Sequence, residues 1–319
     1  MEFSLIDRIR ERTAQGRDDV RLGIGDDAAL LAVPHGQELV AAIDTMVEGV
    51  HFPRTTSAAD IGWKALAVNL SDLASMGATP AWALLALTLP NAETAFIDDF
   101  ADGFAQLARM FRLALVGGDT TRGALTISVA VHGFVPPGKA LVRSGARVGD
   151  AVLVTGTLGD AAGGLYLKQH GTRIDAPSTY LASRLDRPTP RVAAGLALRD
   201  RASACIDVSD GLLADLGHIC KASNVGAEID ATLLPRSSAL LDCFDDATSR
   251  DFALTGGDDY ELCFTVPAQQ VAAVQADLAK LGCGATRIGR IVEGRGVNVR
   301  DAAGRSIESA HPGWDHFAA

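Results

Sequence analysis

A set of aspartates in this sequence stands in apolar or glycine-rich surroundings. They are Asp26 and Asp27 after Gly23-Ile24-Gly25, Asp44 at the end of an apolar run, Asp72 in Asn69-Leu70-Ser71-Asp72 and Asp119 in Gly117-Gly118-Asp119-Thr120. Asp207 and Asp210 follow in Ile206-Asp207-Val208-Ser209-Asp210-Gly211, then Asp258 and Asp259 in Gly256-Gly257-Asp258-Asp259-Tyr260-Glu261. Taken singly, such a residue caps a helix or forms a turn, and Asp210 is placed to start a helix at Gly211. Recurrence at strand ends beside glycines is harder to dismiss, because strand-end loops on one edge of an α/β sheet converge. Carboxylates gathered there repel one another unless cations join them. Hard oxygen donors select magnesium or calcium over zinc, and magnesium takes one or two carboxylates together with substrate phosphates. Metal-assisted work on phosphates is the chemistry this suggests. A structural calcium site and plain turn capping remain open alternatives.

The composition bounds what can surround these groups. The 319 residues suffice for two ordinary domains, and 48% hydrophobic with 21% charged residues is a globular balance. A net charge of −10 argues against a nucleic-acid partner, which needs a basic face. An acidic protein that handles phosphates needs an intervening cation. The five cysteines (Cys205, Cys220, Cys243, Cys263, Cys283) are odd in number and form no C-x-x-C pair. Neither a disulfide framework nor a zinc site is expected, and a reducing cytoplasm fits. The N-terminal residues alternate charge too early for a signal peptide. The uncharged run from Leu73 to Ala92 is interrupted by Gly77, Pro80 and Pro90, so it reads as a buried strand after a helix end, with no membrane segment.

The elements that must carry the aspartates follow from periodicity. Helices are expected over Phe3–Thr13, from Ser57 or Asp60 to about Met76, and over Ala92–Leu113, where Phe96, Phe100, Phe104, Leu107 and Phe111 form a core stripe. Strands are expected at Ala28–Val33, Glu38–Ile43, Ala81–Leu89 and Leu125–Val135. Pro136-Pro137-Gly138 divides the chain into domains 1–138 and 139–319. Beyond it, strands are expected at Ala151–Thr155, Ala204–Val208, Ala227–Ile229, Tyr260–Val266, Ile288–Val292 and Val297–Arg300. Helices are expected at Gly159–His170, Pro190–Arg199, Gly211–Ala222 and Gln269–Leu281. Both halves mix strands and helices, so the class is α/β or α+β. Two glycine motifs are decoys. Gly133 to Lys139 matches the start of a P-loop, but Ala140 lacks the hydroxyl and two prolines remove amides. Gly23 to Ala28 matches a loose dinucleotide fingerprint, but a strand follows where a helix is required.

At these same residues the chain resembles the thiamine-monophosphate kinase family. The resemblance is carried by Gly23-Ile-Gly-Asp-Asp-Ala28, Asp44 with Val47-Glu-Gly-Val-His51-Phe52, and Lys64 to Pro80 around Asn69-Leu-Ser-Asp72. It continues in Gly117-Gly-Asp-Thr-Thr-Arg-Gly123, Ile206-Asp-Val-Ser-Asp-Gly211 and Gly256-Gly-Asp-Asp-Tyr-Glu-Leu262. It runs from about Phe3 to Trp314. Gly-Asp-Asp and Gly-Gly-Asp recur in related enzymes such as aminoimidazole ribonucleotide synthetase and selenophosphate synthetase. The His51 segment, Asn69 to Asp72 and the C-terminal tryptophan single out the kinase.

The resemblance implies magnesium ligands at Asp27, Asp44, Asp72, Asp119, Asp207 and Asp210. ATP contacts are implied at Gly118, Asp119, Arg143 and Ser209, and substrate contacts at His51, Asp258 and Trp314. It implies a two-domain fold like that of aminoimidazole ribonucleotide synthetase, with N-terminal strands forming a barrel across a homodimer and a C-terminal domain covering ATP. It also implies direct in-line phosphoryl transfer from ATP to thiamine monophosphate, with no acid–base residue. Two departures stand out. Ala42 and Ile43 precede Asp44 where polar residues are common, so any metal contact there uses backbone carbonyls. Asp258 replaces a common Glu. Two rivals stay open, another ATP-dependent enzyme of the superfamily and a non-catalytic metal-binding protein on the same fold.

Overall fold

The structure is a computed structural model and describes residues 2–171, 175–307 and 313. It divides into two compact units, Met1–Leu73 with Ala78–Gly138, and Ala74–Gly77 with Lys139–Ala319.

The first unit is built from α1 (Glu2–Thr13), β1 (Val20–Leu22), β2 (Leu30–Leu31), β3 (Glu38–Val47), α2 (Ala58–Ser75), β4 (Thr79–Leu89), α3 (Thr94–Met110), β5 (Ala114–Arg122) and β6 (Thr126–Val135). Four strands form one sheet in the order β3-β6-β4-β5, antiparallel except for β4 with β5. One face is buried through Leu85, Leu87, Ile127, Val129 and Val131. Asn69 and Leu73 of α2 reach this face at Asp44 and Gly133. The helices behind it approach backbone to backbone. A Cβ on Gly62 would lie 2.0 Å from the Phe100 carbonyl oxygen, and one on Gly103 1.8 Å from that of Ala59. The expected phenylalanine stripe is core, with Phe100, Phe104 and Leu107 wholly buried.

The opposite face is partly open. The hairpin of β1 and β2 covers its Trp82–Phe134 end through Val20, Ala29 and Leu31. Leu39, Ile43 and Leu84 stay 47%, 66% and 37% exposed beyond it. Among the described residues of the single chain this sheet is open, with β3 and β5 as its edges. One expectation needs correction. The strand expected at Ala28–Val33 shrinks to Leu30–Leu31, since the acidic glycine loop before it takes up the chain that would have paired.

The second unit comprises β7 (Ala151–Thr155), α4 (Asp160–His170), α5 (Ala176–Asp186), α6 (Val192–Leu198), β8 (Ala204–Val208), α7 (Leu212–Ser223), β9 (Gly226–Asp230), α8 (Ser238–Cys243), α9 (Asp246–Thr255), β10 (Glu261–Val266), α10 (Val271–Lys280), β11 (Ala285–Val292), β12 (Gly296–Arg300) and β13 (Ser306–Ile307). Its sheet runs β13-β12-β9-β11-β7-β10-β8, and only β9 with β12 is parallel. Largely antiparallel pairing in both units makes the arrangement α+β in detail, not a doubly wound sheet. Both decoy motifs dissolve here. Gly133 to Val135 ends β6, and Gly23 to Ala28 connects the two strands of a hairpin.

Candidate active site

A cavity of about 1010 Å³ opens in the first unit against the partly exposed sheet face. Asp26, Asp27, Gly118 and Asp119 line one side, and Ile6, Leu31, Leu84 and Leu115 give it an apolar wall. Local backbone rules build the acidic side. Gly25 adopts φ +126°, open to glycine, and turns the chain so that Asp26 and Asp27 follow at the surface. A Cβ on Gly118 would sit 1.9 Å from the Leu85 carbonyl oxygen, so only glycine lets β5 approach β4 there. Arg10 is the sole Lys or Arg side chain among the described lining residues, and its guanidinium rests against Gly25. His132, tilted toward Trp82 at 6.3 Å, also lines the cavity. Burial pushes its pKa down, and its Nδ1 finds no hydrogen-bond partner among the described residues.

A second group gathers where α2 meets β3. The Asp44 N–H donates to Asn69 Oδ1 at 3.0 Å, and Asn69 Nδ2 donates to the Ala65 carbonyl one turn back. Asp72 lies three residues further along the same helix. At the end of β3, the Val47 N–H donates to His51 Nδ1 at 3.0 Å and the His51 N–H returns to the Val47 carbonyl. Nδ1 accepts, so the ring proton sits on Nε2. Sheet order separates Asp44 from Asp119. Asp44 pairs with Val129, Val129 with Leu85, and Leu85 with Gly118. Three strand spacings put the two edges about 14 Å apart along the sheet.

In the second unit, the ends of β8 and β10 bring Asp207, Ser209, Asp210 and Asp258 together. The Asp258 N–H donates to the Ser209 carbonyl at 2.9 Å, and the Tyr260 hydroxyl donates to the Asp258 carboxylate at 3.0 Å. Asp258 and Tyr260 hold φ of +69° and +50°, left-handed values that cost energy for residues with a side chain. Asp210 does not cap α7. Gly211 occupies that position, and Asp215 accepts the N–H groups of Ser209, Asp210 and Gly211 at 3.0–3.2 Å. Burial, then the charges of Asp207 and Asp210, push the Asp215 carboxyl up to about 7.

A carboxyl raised in the folded state adds stability that is present below its unfolded value, about 3.9, and lost as pH rises through about 7. Thermal melts in chelator should therefore fall more steeply between pH 4 and 8 for the natural protein than for Asp215→Asn. Parallel curves would show that Asp215 does not titrate there.

Arg143 stands apart. The Ser223 hydroxyl, at the far end of α7, donates to its carbonyl at 3.3 Å. Twelve helical residues put that point about 18 Å from Gly211. Trp314 lies outside the described residues.

Comparison with known proteins settles the family. The profile of AIR synthase related protein, N-terminal domain, matches residues 25–135, and that of its C-terminal domain matches 147–302. The thiamine-monophosphate kinase of Escherichia coli K12 is 49% identical over 322 residues, covering 99% of this chain and 98% of its own. The chain belongs to the thiamine-monophosphate kinase family. The thiamine-monophosphate kinase of Stenotrophomonas maltophilia K279a is 55% identical and superimposes with a TM-score of 0.88, covering 93% of this chain and 96% of that one. AaThiL complexed with AMPPCP and TMP is 34% identical with a TM-score of 0.79, covering 99% and 97%.

Within this thiamine-monophosphate kinase family member, Lys64, Asn69 and Asp215 contact His51, Asp44 and the Ser209–Gly211 turn, and the sequence reading did not single them out as candidates. Each is a polar side chain at a helix position otherwise given to apolar contacts, and each is buried. A buried charge or amide inside a motif is the signal that marks them.

Proposed function

We propose that this protein transfers the γ-phosphoryl group of ATP to thiamine monophosphate, giving thiamine diphosphate and ADP. Identity of 49% to a thiamine-monophosphate kinase across 99% of the chain carries this reading. The acceptor is a phosphate oxygen already ionised at neutral pH, so no general base is required. The task is to bring two polyanions into line. Gly118 and Asp119, Arg143, and Ser209 are assigned to ATP. His51, whose Nε2–H is a donor, and Asp258 and Trp314 are assigned to thiamine monophosphate.

The donors present fit magnesium. They are hard oxygens met in small sets: Asp27 with Asp119 in the cavity, Asp44 and Asp72 about Asn69, and Asp207 with Asp210. Among the described residues no three His, Cys, Asp or Glu side chains converge as a closed cage. One or two carboxylates per ion is the arrangement in which magnesium keeps positions for phosphate oxygens and water. Held by these carboxylates, magnesium would supply charge neutralisation to the phosphates.

ADP release measured with and without thiamine monophosphate tests the assignment. Release that requires thiamine monophosphate is expected. Release unaffected by it would overturn the reading and favour another reaction of the superfamily.

The same reading includes a homodimer in the cytoplasm. Its support is the apolar open face of the first sheet, where Leu39, Ile43 and Leu84 are exposed between two free edges. Sedimentation should give twice the chain mass of 33.2 kDa, and Ile43→Glu should shift it toward the monomer. A natural protein that sediments as a monomer at micromolar concentration would rule the dimer out.

A further inference from the structure

We propose that Lys64 is a positioning residue for the substrate turn, acting through His51; this rests on the assignment of His51 to thiamine monophosphate. Lys64 is 1% exposed and is among the largest wholly buried side chains of the molecule. An ammonium so placed loses its hydration, and a methionine or leucine would fill the volume without that cost. The charge therefore does something that packing does not require. Its Nζ donates to the His51 carbonyl oxygen at 3.0 Å.

That bond reaches the imidazole through the backbone. The His51 N–H and its ring Nδ1 are both tied to Val47, at 3.0 Å each. The turn is further closed by Gly49 N–H to the Phe52 carbonyl at 2.9 Å. Ring orientation and tautomer thus follow the backbone of residues 47–52, and the carbonyl that Lys64 grips is part of it. The same helix holds Asp44 through Asn69 and carries Asp72 about two turns beyond Lys64. One rigid helix therefore sets a substrate-binding turn and two proposed metal ligands against each other.

The test is steady-state kinetics of Lys64→Met, His51→Ala and the double variant, with thermal melting alongside. Lys64→Met is expected to raise KM for thiamine monophosphate about tenfold, equivalent to about 1.4 kcal/mol. KM for ATP should change less than about twofold, because the nucleotide contacts lie on other segments. In the His51→Ala background the same substitution should add almost nothing, since a residue acting through His51 has no further effect once the ring is gone. If Lys64→Met does not fold, Lys64→Gln, uncharged and too short to reach the carbonyl, replaces it with the same expectation. A raised KM in His51→Ala with an unchanged one in the Lys64 variant overturns the proposal alone, as does an effect of full size in the double variant. An unchanged KM in His51→Ala overturns the substrate assignment of His51 and the proposal with it. A lowered melting temperature with natural kinetics makes Lys64 a space-filling residue and also overturns it.

Discussion

Asp72→Asn is expected to lower turnover by roughly 100- to 1000-fold while leaving the melting temperature almost unchanged. Asp72 is half-buried on α2, between the buried Ser71 and Leu73, three residues after the asparagine that holds Asp44. The amide has nearly the shape of the carboxylate, so packing of α2 on the sheet is preserved and the charge alone is removed. A group whose charge neutralises the phosphates is needed most in the transition state, so the loss should fall on kcat more than on either KM. The assay is ADP release dependent on thiamine monophosphate at saturating magnesium. Near-natural turnover there would remove Asp72 from the metal ligands.

Glu261→Gln should cost about 3–5 kcal/mol of stability. The Glu261 carboxylate is wholly buried and accepts from Thr155 Oγ1 at 2.6 Å, Arg191 Nε at 2.6 Å and Arg184 at 2.8 Å. Those guanidiniums are only 19% and 11% exposed, so removing the charge takes from both the carboxylate they share away from water and leaves Arg184 facing Asp160 at 3.7 Å. The carboxylate also ties β10 to β7 and α5, and it follows directly on the strained Asp258–Tyr260 segment. A fall in melting temperature of roughly 6 to 20 °C corresponds to this energy for a unit of this size. A change below about 2 °C would mean that the arginines find other partners and that the network contributes little.

Much of this was legible in the order of residues. Periods of 3.6 and 2 located α2, α3, β4 and β6 within a few residues, because each buries one side against a core. Gly25 before Asp26 and Asp27 marked a turn at φ +126°, and Gly118 before Asp119 marked a close approach of β5 to β4. The aspartate motifs identified the family, since their types and spacing are local facts. The helices α5, α8 and α9 escaped notice: α5 begins with an Asp175 capping box and α9 with an Asp245 cap, but their apolar spacing is weak.

What the order of residues could not supply is which motif faces which. Asn69 meets Asp44 across 25 positions, Lys64 meets His51 across 13, and Glu261 meets Thr155 across 106. Strand order decided that Asp44 and Asp119 stand on opposite edges of a sheet, although both end apolar runs beside small residues. A helix or turn is specified by neighbours a few residues away and can be read from them. A contact between distant segments exists only once the sheet has chosen its order and register, and that choice is made by burial of whole faces at once.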